Sequence, residues 1–114
     1  MYKTKIFHNP RCSKSRRTLE LLKENGLEPV VIEYLKDPPT ETELQEIVGI
    51  LNVELHDLIR EKEFAELGFD LESLQPEQLI RQMVLHPRVI QRPIVVHNGR
   101  ASIGRPPENV LKII

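Results

Sequence analysis

A single cysteine, Cys12, is the residue of this chain best placed to do chemistry. It lies in His8-Asn9-Pro10-Arg11-Cys12-Ser13-Lys14-Ser15-Arg16-Arg17, where a proline turn gives way to a stretch that reads as a helix. The first turn of a helix presents unpaired backbone N–H groups and the positive end of the helix dipole, and both favour a negative charge. Arg11, Lys14, Arg16 and Arg17 add cations within a few residues. A thiol of ordinary pKa, about 8.5, is only about 3% ionised at pH 7, whereas settings of this kind lower it to roughly 3.5–7.5. The pattern points to a thiolate nucleophile, against the inert buried thiol that is the commoner fate of a free cysteine.

Two neighbours are candidates to support that thiolate. His8, at the end of a strand, offers an ion-pair partner or proton carrier, although a strand-end histidine bound only to water fits the residues equally well. Ser15, like Ser13, can donate a hydrogen bond to sulfur, although serines at a helix start serve as simple caps just as often. Ser15 also occupies the place of the second cysteine in a dithiol motif, so a self-contained dithiol cycle is excluded. Any resolving thiol must come from another molecule. Thr18 stands where tyrosine-phosphatase chemistry requires an arginine. His8, His56, His86 and His97 are scattered without ligand spacing, so no metal and no tightly bound organic cofactor is implied.

The elements that must position Cys12 follow from periodicity and punctuation. Lys3 to His8 reads as a strand, its lysines placing it near the sheet margin or at its entrance. The helix after Cys12 has an apolar face of Leu19, Leu21 and Leu22 and ends at Asn25-Gly26. Val30 to Leu35 is a second strand, and strand, helix, strand with tight connections is a right-handed βαβ unit with parallel strands. Asp37-Pro38-Pro39 breaks the chain. Thr40 and Glu43 then form a capping box for a helix with Leu44, Ile47, Val48 and Leu51 on one face. Leu55, Leu58, Ile59, Phe64 and Leu67 mark shorter helical pieces ending at Gly68, and Pro76 opens a helix with Leu79, Ile80 and Met83 that stops before Pro87. Ile94–His97 and Arg100–Ile103 flank Asn98-Gly99, a strong hairpin signal. Pro106-Pro107-Glu108 opens a last helix through Val110, Leu111, Ile113 and Ile114.

This order predicts an α/β, thioredoxin-like fold: a mixed four-stranded sheet built as βαβ, a helical insertion at about 40–90, then ββα. With 114 residues, 39% of them hydrophobic and 29% charged, the chain fits one domain spanning 1–114. A net charge of −1 gives no global attraction to nucleic acid or an anionic membrane. No apolar run approaches membrane-spanning length, and Met1–Ile6 lacks the apolar stretch of a signal peptide. Together with one unpaired cysteine, these features lead to the expectation of a soluble protein of the reducing cytoplasm.

The loop His8-Asn9-Pro10-Arg11-Cys12 resembles the histidine-asparagine-proline-x-cysteine active-site loop of the glutaredoxin-coupled arsenate reductase family. The resemblance runs the whole chain through Tyr34-Leu35 with Asp37-Pro38-Pro39, Leu58-Ile59-Arg60, Arg92-Pro93-Ile94-Val95-Val96 and Gly104-Arg105-Pro106, in order and at matching spacing. It implies that Cys12 attacks the arsenic of arsenate while Arg60, Arg92 and Arg105 hold the oxyanion, and that Pro93 is a cis proline beside the cysteine. It implies glutathione as co-substrate and glutaredoxin as partner, with arsenite as product. Two further readings stay open: a monothiol, glutathione-linked thiol transferase, and a redox-regulatory binding protein of the same fold. The three arginines favour oxyanion chemistry over the first, and the single cysteine disfavours the second.

Overall fold

The computed structural model describes residues 4–114. The chain divides into two compact units, one made of residues up to Asp37 and from Arg92 onward, the other of Pro38–Gln91.

The first unit is a four-stranded mixed sheet with helices. Strand β1 (Thr4–His8) is followed by helix α1 (Ser13–Glu24) and strand β2 (Val30–Glu33), and later by β3 (Ile94–His97) and β4 (Arg100–Ile103). The strand order is β2-β1-β3-β4, with β1 parallel to β2 and antiparallel to β3, and β3 antiparallel to β4. This is the expected thioredoxin-like arrangement, with one correction. β1 lies inside the sheet, not at its margin, and its inward placement follows from Ile6 and His8 being buried on one face and Phe7 on the other. The part of the predicted strand at Lys3 lies outside the described residues.

Ile6, Leu22, Val95, Val110 and Ile113 form a core cluster, edged by Leu19 and Leu27. Full burial of each such side chain stabilises by about 1.5–3 kcal/mol relative to exposure. α1 turns Ser15, Thr18, Leu21 and Leu22 inward and ends where Gly26 takes a φ of +81°, the left-handed conformation glycine adopts without penalty. β2 is shorter than expected: it stops at Glu33, and Tyr34 leaves the strand in a turn. In the hairpin, Asn98 and Gly99 both take positive φ (49° and 78°), as a tight two-residue connection requires. The last helical segment, Pro107–Lys112, is a 3-10 helix. With only six residues and prolines at its start, it gains little from the longer α-helical hydrogen-bond ladder.

The second unit is helical. Helix α2 (Glu41–Leu51) starts at Thr40, whose hydroxyl accepts the Glu43 N–H at 3.1 Å, and ends at Asn52 in the left-handed region. A 3-10 turn (Leu55–Leu58) leads to the short helix α3 (Glu61–Ala65), and another (Leu71–Ser73) to α4 (Pro76–Leu85). Gln75 and Gln78 form a reciprocal capping box at the start of α4 that the sequence reading did not anticipate. A third 3-10 turn, Pro87–Val89, follows it. Ile59 and Ile90 form an isolated antiparallel bridge, reinforced by Arg60 N–H donating to Val89 O at 2.7 Å and Gln91 N–H to Leu58 O at 2.8 Å. Leu44, Leu58, Phe64, Leu79, Met83 and Val89 are buried.

Candidate active site

β1 delivers the chain to a tight loop at the C-terminal end of the sheet's parallel pair, the end at which α/β sheets present ligand sites. Asn9 organises that loop. Its carbonyl accepts the Cys12 N–H and its side-chain Oδ1 accepts the Arg11 N–H, each at 3.0 Å. Arg16 closes the loop from the helix side by donating through Nη1 to Pro10 O at 2.9 Å. Cys12 is the N-cap of α1, with extended backbone (φ −97°, ψ 122°), and its side chain is half-buried.

The Cys12 thiol is held below its ordinary pKa. Burial alone pushes it up. It is outweighed by the Ser15 N–H, by hydrogen bonding and charge from Arg92, and by the Lys14 N–H. None of the helix-start amides completes a full cap hydrogen bond to sulfur. They act as oriented dipoles beside it. The stabilising charge comes from Arg92, distant in sequence, and not from the adjacent cations. Arg17 is turned to Glu24 and Glu20 at 3.0 and 3.5 Å.

Ser15 and His8 differ from the expected arrangement. The Ser15 hydroxyl is engaged elsewhere, 2.6 Å from His8 Nδ1 and accepting the Asn9 N–H at 3.0 Å, so Ser15 reaches the sulfur through its backbone N–H. Burial lowers the His8 pKa, Glu33 opposes that shift, and Arg16 and Lys23 add to it. His8 is therefore a neutral ring at pH 7 whose observed partner is Ser15. It braces the loop and makes no ion pair as an imidazolium.

Arg92 precedes β3 through a cis peptide bond to Pro93, as the sequence resemblance implied, and Arg105 precedes a second cis proline, Pro106. Arg105 donates from Nη1 to the Arg92 carbonyl at 3.3 Å, which brings the two arginines together. Gly104 fits into the angle between α1 and the Pro93 segment. Its N–H donates to Pro93 O at 2.9 Å, and an added Cβ would lie 2.5 Å from Thr18 Oγ1.

Tyr34, which the sequence reading placed only in a family motif, is buried at the end of β2. Burial pushes its hydroxyl up to about 12, with Arg92, Cys12 and Asn9 all near enough to act on it. Asn9 and Arg92 approach that hydroxyl, yet neither meets hydrogen-bond geometry with it. The one positional signal in the sequence was its place near the C-terminal end of a strand expected to be parallel, where side chains border the ligand end of such sheets.

Arg60 belongs to the second unit. It caps α3 and pairs through Nε with Glu63 at 2.5 Å, both side chains being largely buried. Among the described residues, no three His, Cys, Asp or Glu side chains gather as a metal site, and no helix is long and apolar enough to cross a membrane.

Residues 7–113 match the model of the ArsC family. The chain belongs to the ArsC family. It is 52% identical over 113 residues to the uncharacterized protein YfgD of Escherichia coli, covering 96% of this chain and 95% of that one. It is 43% identical over the full length of both chains to an arsenate reductase of Neisseria meningitidis. The solved arsenate reductase from Vibrio cholerae superposes with a TM-score of 0.88 at 42% identity, covering 97% of each chain. In this ArsC-family chain, the first unit assembles a thiol held below its ordinary pKa, helix-start amides, two arginines in mutual contact and a buried phenol. That set can hold a small oxyanion and attack it.

Proposed function

We propose that this ArsC-family chain is an arsenate reductase that uses Cys12 as its nucleophile and draws its second thiol from glutathione, with glutaredoxin completing turnover. The observation that carries the reading is the contact between a thiolate-favouring helix start and Arg92, itself joined to Arg105. Arg92 and Arg105 neutralise the oxyanion and orient it so that arsenic faces the sulfur. The Cys12 thiolate forms a sulfur–arsenic bond while one arsenate oxygen takes up protons and departs as water. Glutathione then attacks the adduct. Over the cycle two thiols surrender two electrons and two protons, arsenic(V) becomes arsenic(III), one oxygen leaves as water, and the two sulfurs end as a disulfide that glutaredoxin reduces. Arg60 enters this reading through the family resemblance, as a third oxyanion-binding arginine.

A groove of about 360 Å³ beside the cysteine loop supports glutathione as the second thiol. Arg11 on its border offers a cation to a carboxylate of that tripeptide, and the Glu33–Lys36 pair, 3.6 Å apart, offers both charges to its remaining ionic groups. The decisive assay follows arsenate-dependent NADPH consumption with glutathione, glutathione reductase and glutaredoxin. Wild type turns over, Cys12→Ser does not, and Arg92→Ala loses most of the rate. A reactive Cys12 with no arsenate-dependent rate in the wild type overturns the proposal in favour of thiol transfer.

A further inference from the structure

Two buried side-chain polar atoms, Tyr34 Oη and Arg92 Nε, have no hydrogen-bond partner among the described residues. A buried donor without a partner costs about 1–3 kcal/mol, and native proteins tolerate few of them. These two are neighbours. Arg92 acts electrostatically on Tyr34, and both Arg92 and Tyr34 interact with Cys12. The Asn9 side chain, fixed by its hydrogen bond to Arg11 N–H, also approaches the Tyr34 hydroxyl. The phenol of Tyr34 is also almost wholly enclosed, with 2% of its surface exposed. Solvent therefore does not satisfy its hydroxyl from outside.

Both atoms are donors, and both belong to side chains close enough to Cys12 to interact with it electrostatically. We propose that Tyr34 Oη–H and Arg92 Nε–H are direct donors to the oxyanion attacked by Cys12, which makes Tyr34 a catalytic residue. This rests on the oxyanion reading above and adds to it a neutral donor that no arginine supplies. Burial keeps the phenol protonated across the working pH range, so it remains a donor whether or not Cys12 is ionised. A neutral O–H at this place also orients a tetrahedral anion without adding charge. The arginines supply the charge that holds the anion, and the phenol adds a neutral hydrogen bond that both tightens its binding and fixes which way it faces.

The test uses the full chain and arsenate itself. Cys12 is alkylated with iodoacetamide at rising arsenate concentration, and each variant is normalised to its own anion-free rate. The proposal expects arsenate to protect the wild type. In Tyr34→Phe, which keeps the buried ring, the half-protecting concentration should rise at least tenfold. Arg92→Lys, which keeps the charge and removes Nε, should raise it as well. Urea unfolding gives an independent readout. Without arsenate, Tyr34→Phe should unfold at a midpoint equal to or above that of wild type, because it removes an unpartnered group, and arsenate should raise its midpoint less than that of wild type. If the wild type is protected and Tyr34→Phe is protected at the same concentration, Tyr34 does not touch the anion and the proposal falls while the oxyanion reading stands. A lower urea midpoint for anion-free Tyr34→Phe would show that the hydroxyl serves only a structural water. Failure of arsenate to protect even the wild type removes the oxyanion reading and this proposal together.

Discussion

Replacing Gly104 by alanine places a methyl carbon 2.5 Å from Thr18 Oγ1, 2.9 Å from Pro93 Cγ and 3.1 Å from Thr18 Cγ2. The neighbours cannot give way cheaply. Thr18 is fully buried, and its hydroxyl donates to Lys14 O at 2.7 Å, so rotating it breaks that bond. Pro93 is a rigid ring whose carbonyl accepts the Gly104 N–H. Overpacking of this kind costs about 2 kcal/mol within a range of roughly 1–3. Against it, alanine narrows the unfolded ensemble and stabilises by about 0.7 kcal/mol. The φ of Gly104 lies outside the left-handed range, so no backbone strain is added. The balance is a loss of about 1.3 kcal/mol, or roughly 5 °C in Tm for a chain of this size. Urea unfolding at constant m measures it. Thr18→Ala removes two of the three close contacts, so the double variant should be less destabilised than the sum of the singles by at least about 0.5 kcal/mol. A Gly104→Ala protein within about 0.3 kcal/mol of wild type would refute the steric argument, given the uncertainty of such differences. So would strict additivity with Thr18→Ala.

Four other outcomes follow from contacts described above. Arg92→Ala removes both the hydrogen bonding and the charge that favour the Cys12 thiolate, so the midpoint of iodoacetamide reactivity against pH should move upward; an unmoved midpoint would assign the activation to the helix start alone. Ser15→Ala takes the partner from a buried His8 Nδ1 and should destabilise by about 1–3 kcal/mol in urea. Because the His8 pKa is lowered from 6.5, the unfolded chain binds the proton more readily; its contribution to stability is fully present above pH 6.5 and is lost as pH falls through the folded value, which an NMR titration of the ring locates. Thr40→Ala removes the hydroxyl that accepts from Glu43 N–H and should cost about 1 kcal/mol in urea unfolding, with no effect on Cys12 alkylation.

What the sequence made legible was local. The Asn98-Gly99 hairpin, the Thr40 cap and the position of Cys12 at the start of α1 each depend on a few adjacent residues, and each is present. Most of the departures involve partners remote in the chain. Two lysines in six residues made β1 look peripheral, yet pairing with both β2 and β3 encloses it. The cations next to Cys12 suggested its activation, yet the charge that acts on it belongs to Arg92. Ser15 was singled out for its hydroxyl, which His8 occupies, while its backbone N–H faces the sulfur. Tyr34 carried no chemical signature in a short apolar strand. Its role becomes visible only when Arg92 is folded against it.

The strand order also fixes when this thiol becomes dangerous to its surroundings. β1, the loop and α1 precede the helical unit in the chain, whereas Arg92 and Arg105, with β3 and β4, follow it. On an emerging polypeptide Cys12 is an ordinary, mostly protonated thiol and a poor target for oxidants and electrophiles. The part of its activation that comes from Arg92 arrives only after the helical unit has been made, so the thiol is fully armed after synthesis and not during it.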